Sequence, residues 1–116
     1  MTEAPRGLSP AEIEERLRAL PHWTFGAGAL RRAYQTDGWR GSLLVANAIG
    51  FICEAADHHA DLLVTWPRVE VALSTHSAGG ITALDFEVAL RIEREITWKP
   101  GPGSALAGPA APFVRG

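Results

Sequence analysis

Apolar positions along this chain recur with two alternating periods, and the alternation predicts an order of elements. Ser9 reads as a helix N-cap, with Pro10 at the first helical position and Glu12 at the third. Ile13, Leu17 and Leu20 then repeat at helical spacing among charged residues that read as a solvated face, until Pro21 ends the element. Period two takes over from His22, with Trp23 and Phe25 pointing the same way in a short strand. Gly26-Ala27-Gly28 makes the turn, and Leu30 to Gln35 returns as a second strand. Asp37 is the expected N-cap of the longest helix, Gly38 to Ala56. Its Leu43, Val45, Ala46, Ile49, Phe51 and Ile52 leave little polar face, so it is covered on more than one side. One side faces the sheet; the other faces more core or a second subunit, because a domain this small builds little core alone. Trp23 and Trp39 read as core aromatics.

Leu62 to Trp66 reads as a third strand, Pro67-Arg68 as a tight connection and Val69 to Thr75 as a fourth strand. In the fourth, Val69, Val71 and Leu73 alternate with Glu70, Ala72 and Ser74. Ser77 to Gly80 is a bend where backbone can approach a ligand closely. Thr82 caps a last helix, Ala83 to Ile96, with Asp85 at its third position as a capping acid. Leu84, Val88 and Ile92 form its buried stripe; Glu87, Arg91, Glu93, Arg94 and Glu95 read as a solvated face with pairs such as Glu87–Arg91. The order helix-strand-strand-helix-strand-strand-helix predicts an α+β fold, a four-stranded antiparallel sheet with three helices packed on one face. Residues 1–98 form the expected domain, opened by a loose lead-in over Met1 to Gly7. Residues 99–116, rich in Gly, Pro and Ala, are expected to be a flexible tail, disordered or loosely docked.

Composition narrows the function classes. A length of 116 residues means one domain, and a net charge of −2 with mixed signs leaves no electrostatic footprint for nucleic acid. The longest apolar run, Leu43 to Cys53, is interrupted by Asn47 and Gly50 and is far short of the roughly 20 residues a membrane helix needs, so no membrane partner is expected. Glu3, Pro5 and Arg6 interrupt any apolar leader, and the lone Cys53, among apolar neighbours, reads as a buried residue in a reducing compartment. The expected location is cytoplasmic.

Candidate chemistry concentrates between Glu54 and Asp85, which holds three of the four histidines. Glu54 lies four residues before His58, so on a continuing helix its carboxylate would orient that imidazole. His58 and His59 diverge by about 100° unless the helix ends there. A histidine at a helix C-terminus also has a purely structural rationale in the dipole. Imidazoles on two elements flanked by carboxylates point to proton transfer near neutral pH. His22 lies apart and reads as an ordinary strand-end histidine.

The set Glu54, His58-His59, Trp66, His76 and Asp85, with LSTHSAGGIT around His76, resembles the signature of the pterin-4a-carbinolamine dehydratases. The resemblance covers Leu8 to Glu95, with Ala60 where the family commonly has Pro, and Leu62 where it often has an aromatic. It implies the same sheet-and-helix layout and the dehydration of 4a-hydroxytetrahydrobiopterin to quinonoid dihydropterin, in recycling the cofactor of aromatic amino-acid hydroxylases. It further implies a pterin substrate, no cofactor, no metal, and a homodimer or homotetramer, with such a hydroxylase as functional partner. By the same resemblance His58 and His76 are the main acid/base pair and His59 positions the pterin. Glu54, Trp66, Ser74, Thr75 and Asp85 are assigned to the substrate, with Glu54 orienting His58 and Asp85 acting near His76.

Two rival functions read the chain differently. The family also includes dimerisation cofactors of a transcription factor that work through helix surfaces, and the apolar second helix suits such a module. A metal site from His58, His76 and a carboxylate is the other rival, but the chain has no HExxH and no cysteine pair.

Overall fold

The computed structural model describes residues 5–116; the first four residues of the expected lead-in lie outside them. Helix α1 is Pro10–Leu17, followed by β1 (Thr24–Gly26), β2 (Ala29–Gln35), α2 (Trp39–Ala56), β3 (Asp61–Val64), β4 (Arg68–Leu73) and α3 (Ala83–Ile96). A short 3-10 turn, His76–Ala78, stands between β4 and α3. The sheet is antiparallel in the order β1-β2-β4-β3, so the expected α+β architecture holds. Among the described residues, no helix is long and apolar enough to cross a membrane.

Local chemistry explains most boundaries. At α1 the Ser9 hydroxyl and the Glu12 carboxylate form a capping box, and at α3 Thr82 and Asp85 form another. The β1–β2 hairpin turns on Ala27 and Gly28, both at positive φ (50° and 76°), which matches the twist of the flanking strands. Helix α1 ends at Leu17, before the expected Pro21, and a turn carries Leu20 into the core. The N-cap of α2 is Gly38, without a side-chain bond, rather than the expected Asp37. Strand β3 stops at Val64, leaving Trp66 in the β3–β4 turn.

One cluster forms the core: Ile13 from α1, Val45 and Ile49 from α2, Val88 and Ile92 from α3, and Leu30, Tyr34, Val69, Val71 and Leu73 from the sheet. Each fully buried aliphatic side chain contributes about 1.5–3 kcal/mol relative to exposure. Trp23 is buried as expected, whereas Trp39 and Leu84 are exposed.

Glu93, expected on the solvated face of α3, is instead the polar centre joining that helix to the sheet. Its carboxylate accepts from the Trp23 indole (2.9 Å), the Arg32 guanidinium (3.0 Å) and the Tyr34 hydroxyl (2.7 Å). Arg32 lies buried on the helix side of β2, its guanidinium 4.1 Å from the Tyr34 ring centre. Partial burial alone would raise the Glu93 carboxyl, but the bonds from Arg32, Tyr34 and Trp23 outweigh it and hold the group below the usual carboxylate range. Burial, then the bond to Glu93, pushes the Tyr34 phenol far above its ordinary range.

Candidate active site

Two helix ends build the site. Helix α2 stops because Asp57 adopts the left-handed conformation (φ 51°), and the His58 amide reaches back to the Cys53 carbonyl at 3.1 Å. That reversal separates the adjacent histidines: His58 turns inward with a side chain 14% exposed, while His59 stays 57% exposed. Helix α3 begins opposite, and its capping acid Asp85 is fully buried.

The His58 Nε2 lies 2.7 Å from Asp85 Oδ1. The other carboxylate oxygen accepts from the Thr82 amide at 2.9 Å and from the Thr75 hydroxyl at 2.7 Å. Thr75 in turn lies 2.8 Å from the Thr82 hydroxyl, which accepts from the Leu84 amide. Every proton in this chain is directed toward Asp85: the Thr75 proton goes to the carboxylate, so the Thr82 hydroxyl donates to Thr75. A carboxylate accepts only, so His58 carries a proton on Nε2, and in its neutral form Nδ1 is then the acceptor. Burying the carboxylate is compensated by these donors and by the positive end of α3.

These contacts revise the expected pairings. Asp85, assigned to the substrate near His76, bonds His58 and, through its other oxygen, Thr75, the residue before His76. Glu54 was expected to orient His58 but pairs with His59, its Oε2 3.0 Å from Nε2. The helix had to continue through residue 58 for the four-residue spacing to apply, and it does not. Thr75 is buried with its hydroxyl donating to Asp85. Ser74 is half-buried just beyond β4.

His76 follows Thr75 directly and is exposed on the 3-10 turn. The turn is closed by Thr75 and Gly80, whose backbones pair at 2.8 Å, and by Gly79 at positive φ (65°). Trp66 does not join the cluster. The pairs Asp61↔Ala72 and Val64↔Val69 place the histidines at one end of the β3–β4 hairpin and Trp66 at the other, roughly 13 Å of strand away. Its ring is exposed, and its carbonyl accepts from the Thr36 and Ser42 hydroxyls.

Thr82 is the site residue the sequence reading took only as a cap; the signal was present in the capping box itself, whose acid is Asp85. His58 also stands at one end of a groove of about 620 Å³ between α2 and α3, lined by Phe51, Ile52, Val88 and Arg91 among others; His59 and His76 do not line it. Among the described residues, no three side chains of His, Cys, Asp and Glu come together as a metal-binding group would.

Comparison with known proteins places these residues in a family. The profile of pterin 4 alpha carbinolamine dehydratase matches residues 6–95. A relative from Roseiflexus castenholzii is 39% identical over 89 residues, which span 77% of this chain and 96% of that protein. One from Streptomyces coelicolor is 41% identical over 87 residues, 74% of this chain and 86% of the relative. Both bear that dehydratase name provisionally. A crystal structure described as a transcriptional coactivator/pterin dehydratase from Brucella melitensis aligns with a TM-score of 0.74 at 28% identity, covering 80% of this chain and 100% of that one. With the profile and both relatives spanning most of the sequence, the chain belongs to the pterin 4 alpha carbinolamine dehydratase family.

Proposed function

We propose that the protein dehydrates 4a-hydroxytetrahydrobiopterin to quinonoid dihydropterin by histidine acid/base catalysis, returning the pterin for reuse by an aromatic amino-acid hydroxylase. The reaction removes the proton from ring N5, forms the N5–C4a double bond and breaks the C4a–O bond, with a proton delivered to the departing hydroxyl as water. The observation that supports this reading best is the buried His58–Asp85 pair, which leaves His58 Nδ1 as an acceptor. His58 serves as the base at N5. His76, exposed and free to exchange protons with solvent, serves as the acid, and His59, paired with Glu54, positions the pterin. Each proton transfer contributes about 10²–10⁴-fold. A cytoplasmic setting fits the lone Cys53, which is free and buried.

The test is dehydration of chemically generated carbinolamine, followed spectroscopically with and without the protein. The wild type should accelerate it, and His58→Ala and His76→Ala should each lower the catalysed rate at least about 10²-fold with the fold intact. Normal turnover in both variants would remove the assignment.

A second reading, a dimerisation or transcriptional cofactor module of the same fold, draws on the outer face of α2, where Phe51 is 76% exposed. A wild-type chain inactive on the carbinolamine yet bound by a partner through that helix would favour it.

A further inference from the structure

The tail beyond α3 returns to the sheet. The Asp37 amide donates to the Phe113 carbonyl (3.1 Å), the Gln35 amide to a Gly116 oxygen (2.8 Å) and the Arg115 amide to the Gln35 carbonyl (2.7 Å). Thr36 and Val114 form an antiparallel bridge, and Val114 packs on the core. These bonds lie on the side of β2 away from β4, since Thr36, between them, donates the other way to Pro67.

That outer edge of β2 is otherwise poorly covered. Strand β1 pairs only with Ala29 to Arg31. The Arg32 guanidinium takes the Ala33 carbonyl at 2.8 Å. Without the tail, the stretch from Gln35 to Asp37 would present bare amides and carbonyls, the template on which another strand adds. The tail's path runs close to the domain at Gly41, where a Cβ would lie 2.5 Å from Asp37 Oδ1 and 3.0 Å from the Phe113 carbonyl oxygen. Yet the matched family region ends at residue 95.

We propose that residues 113–116 act as an edge guard, an in-chain strand that closes the outer edge of β2 against strand addition by a second copy of this chain. The role is separate from the histidine site and does not rest on the proposed reaction.

Amide hydrogen exchange on the full chain tests it, because neighbouring amides serve as internal controls. Gln35 and Asp37 should be protected in the wild type. Arg115→Pro removes the donor to Gln35 and should accelerate exchange at both on the order of tenfold, leaving Thr36 unchanged. Gly41→Ala presses on both the Asp37 side chain and the Phe113 carbonyl, so Gln35, which is remote from the added methyl, is its reporter and should likewise exchange faster. Light scattering should then show Arg115→Pro forming larger species than the wild type at equal concentration. Protection at Gln35 that survives both substitutions would overturn the docking. Unchanged mass for Arg115→Pro up to on the order of 100 µM would overturn the guarding role.

Discussion

Asp85 holds His58 through one oxygen and the start of its own helix through the other, so its identity is testable at the level of a single atom. Asp85→Asn keeps the shape and can still accept from Thr82 and Thr75 through the amide oxygen. Its NH₂ would then face His58 Nε2, and two donors cannot share that contact. The imidazole would move its proton to Nδ1, removing the acceptor that the base role requires. Turnover should fall on the order of tenfold or more, the scale seen when a partner that orients a histidine is lost. Nitrogen chemical shifts of the His58 ring should report the tautomer change, which a merely weakened helix cap would not produce. An unchanged tautomer with unchanged rate would refute the orienting role.

Between elements, the Glu93 cluster ties α3 to β2 across buried Arg32. Glu93→Gln would leave the guanidinium without its counter-charge and should lower stability by about 3 kcal/mol at neutral pH. The pH dependence has a definite sign. A carboxyl held below its unfolded value contributes stability fully present above the unfolded pKa of about 4.3, and that contribution is lost as pH falls through the folded value. Tyr34 acts at the other limb: a phenol raised in the folded state loses its contribution as pH rises above its unfolded value of about 10. Urea midpoints of wild type and Glu93→Gln should therefore differ most near neutrality and converge in acid. A constant difference from pH 7 down to pH 2 would contradict the linkage.

For the whole molecule, the outer face of α2 is the open question of assembly. Leu43, Leu44 and Phe51 are exposed at 41%, 43% and 76%, a large apolar surface for a chain of 116 residues. We expect homo-oligomerisation through this face, as a dimer or a tetramer. Phe51→Glu should shift the assembly toward monomer, since in a symmetric interface the charge meets a copy of itself. A wild type that scatters light as a monomer at micromolar concentration would exclude the interface.

What the sequence determined by itself was whatever local chemistry decides. Thr82 with Asp85 marked the start of α3 to the residue, and alternation from Val69 to Leu73 assigned the face of β4. The spacing of Glu54, the histidines and Asp85 points to the family without any tertiary contact. Pairings between distant residues belonged to the tertiary structure. Glu54 and His58 share a helix face only while the helix runs on; one left-handed residue, Asp57, ended it and redirected each imidazole to a different carboxylate. Glu93 looked solvated because helical period identifies a face but not what another element brings against it, here Arg32 and Tyr34 from β2. The Gly and Pro composition of the tail favours no element of its own, which left disorder and loose docking equally open. The docking of residues 113–116 depends on the unpaired edge of β2, a partner visible only once the sheet has formed.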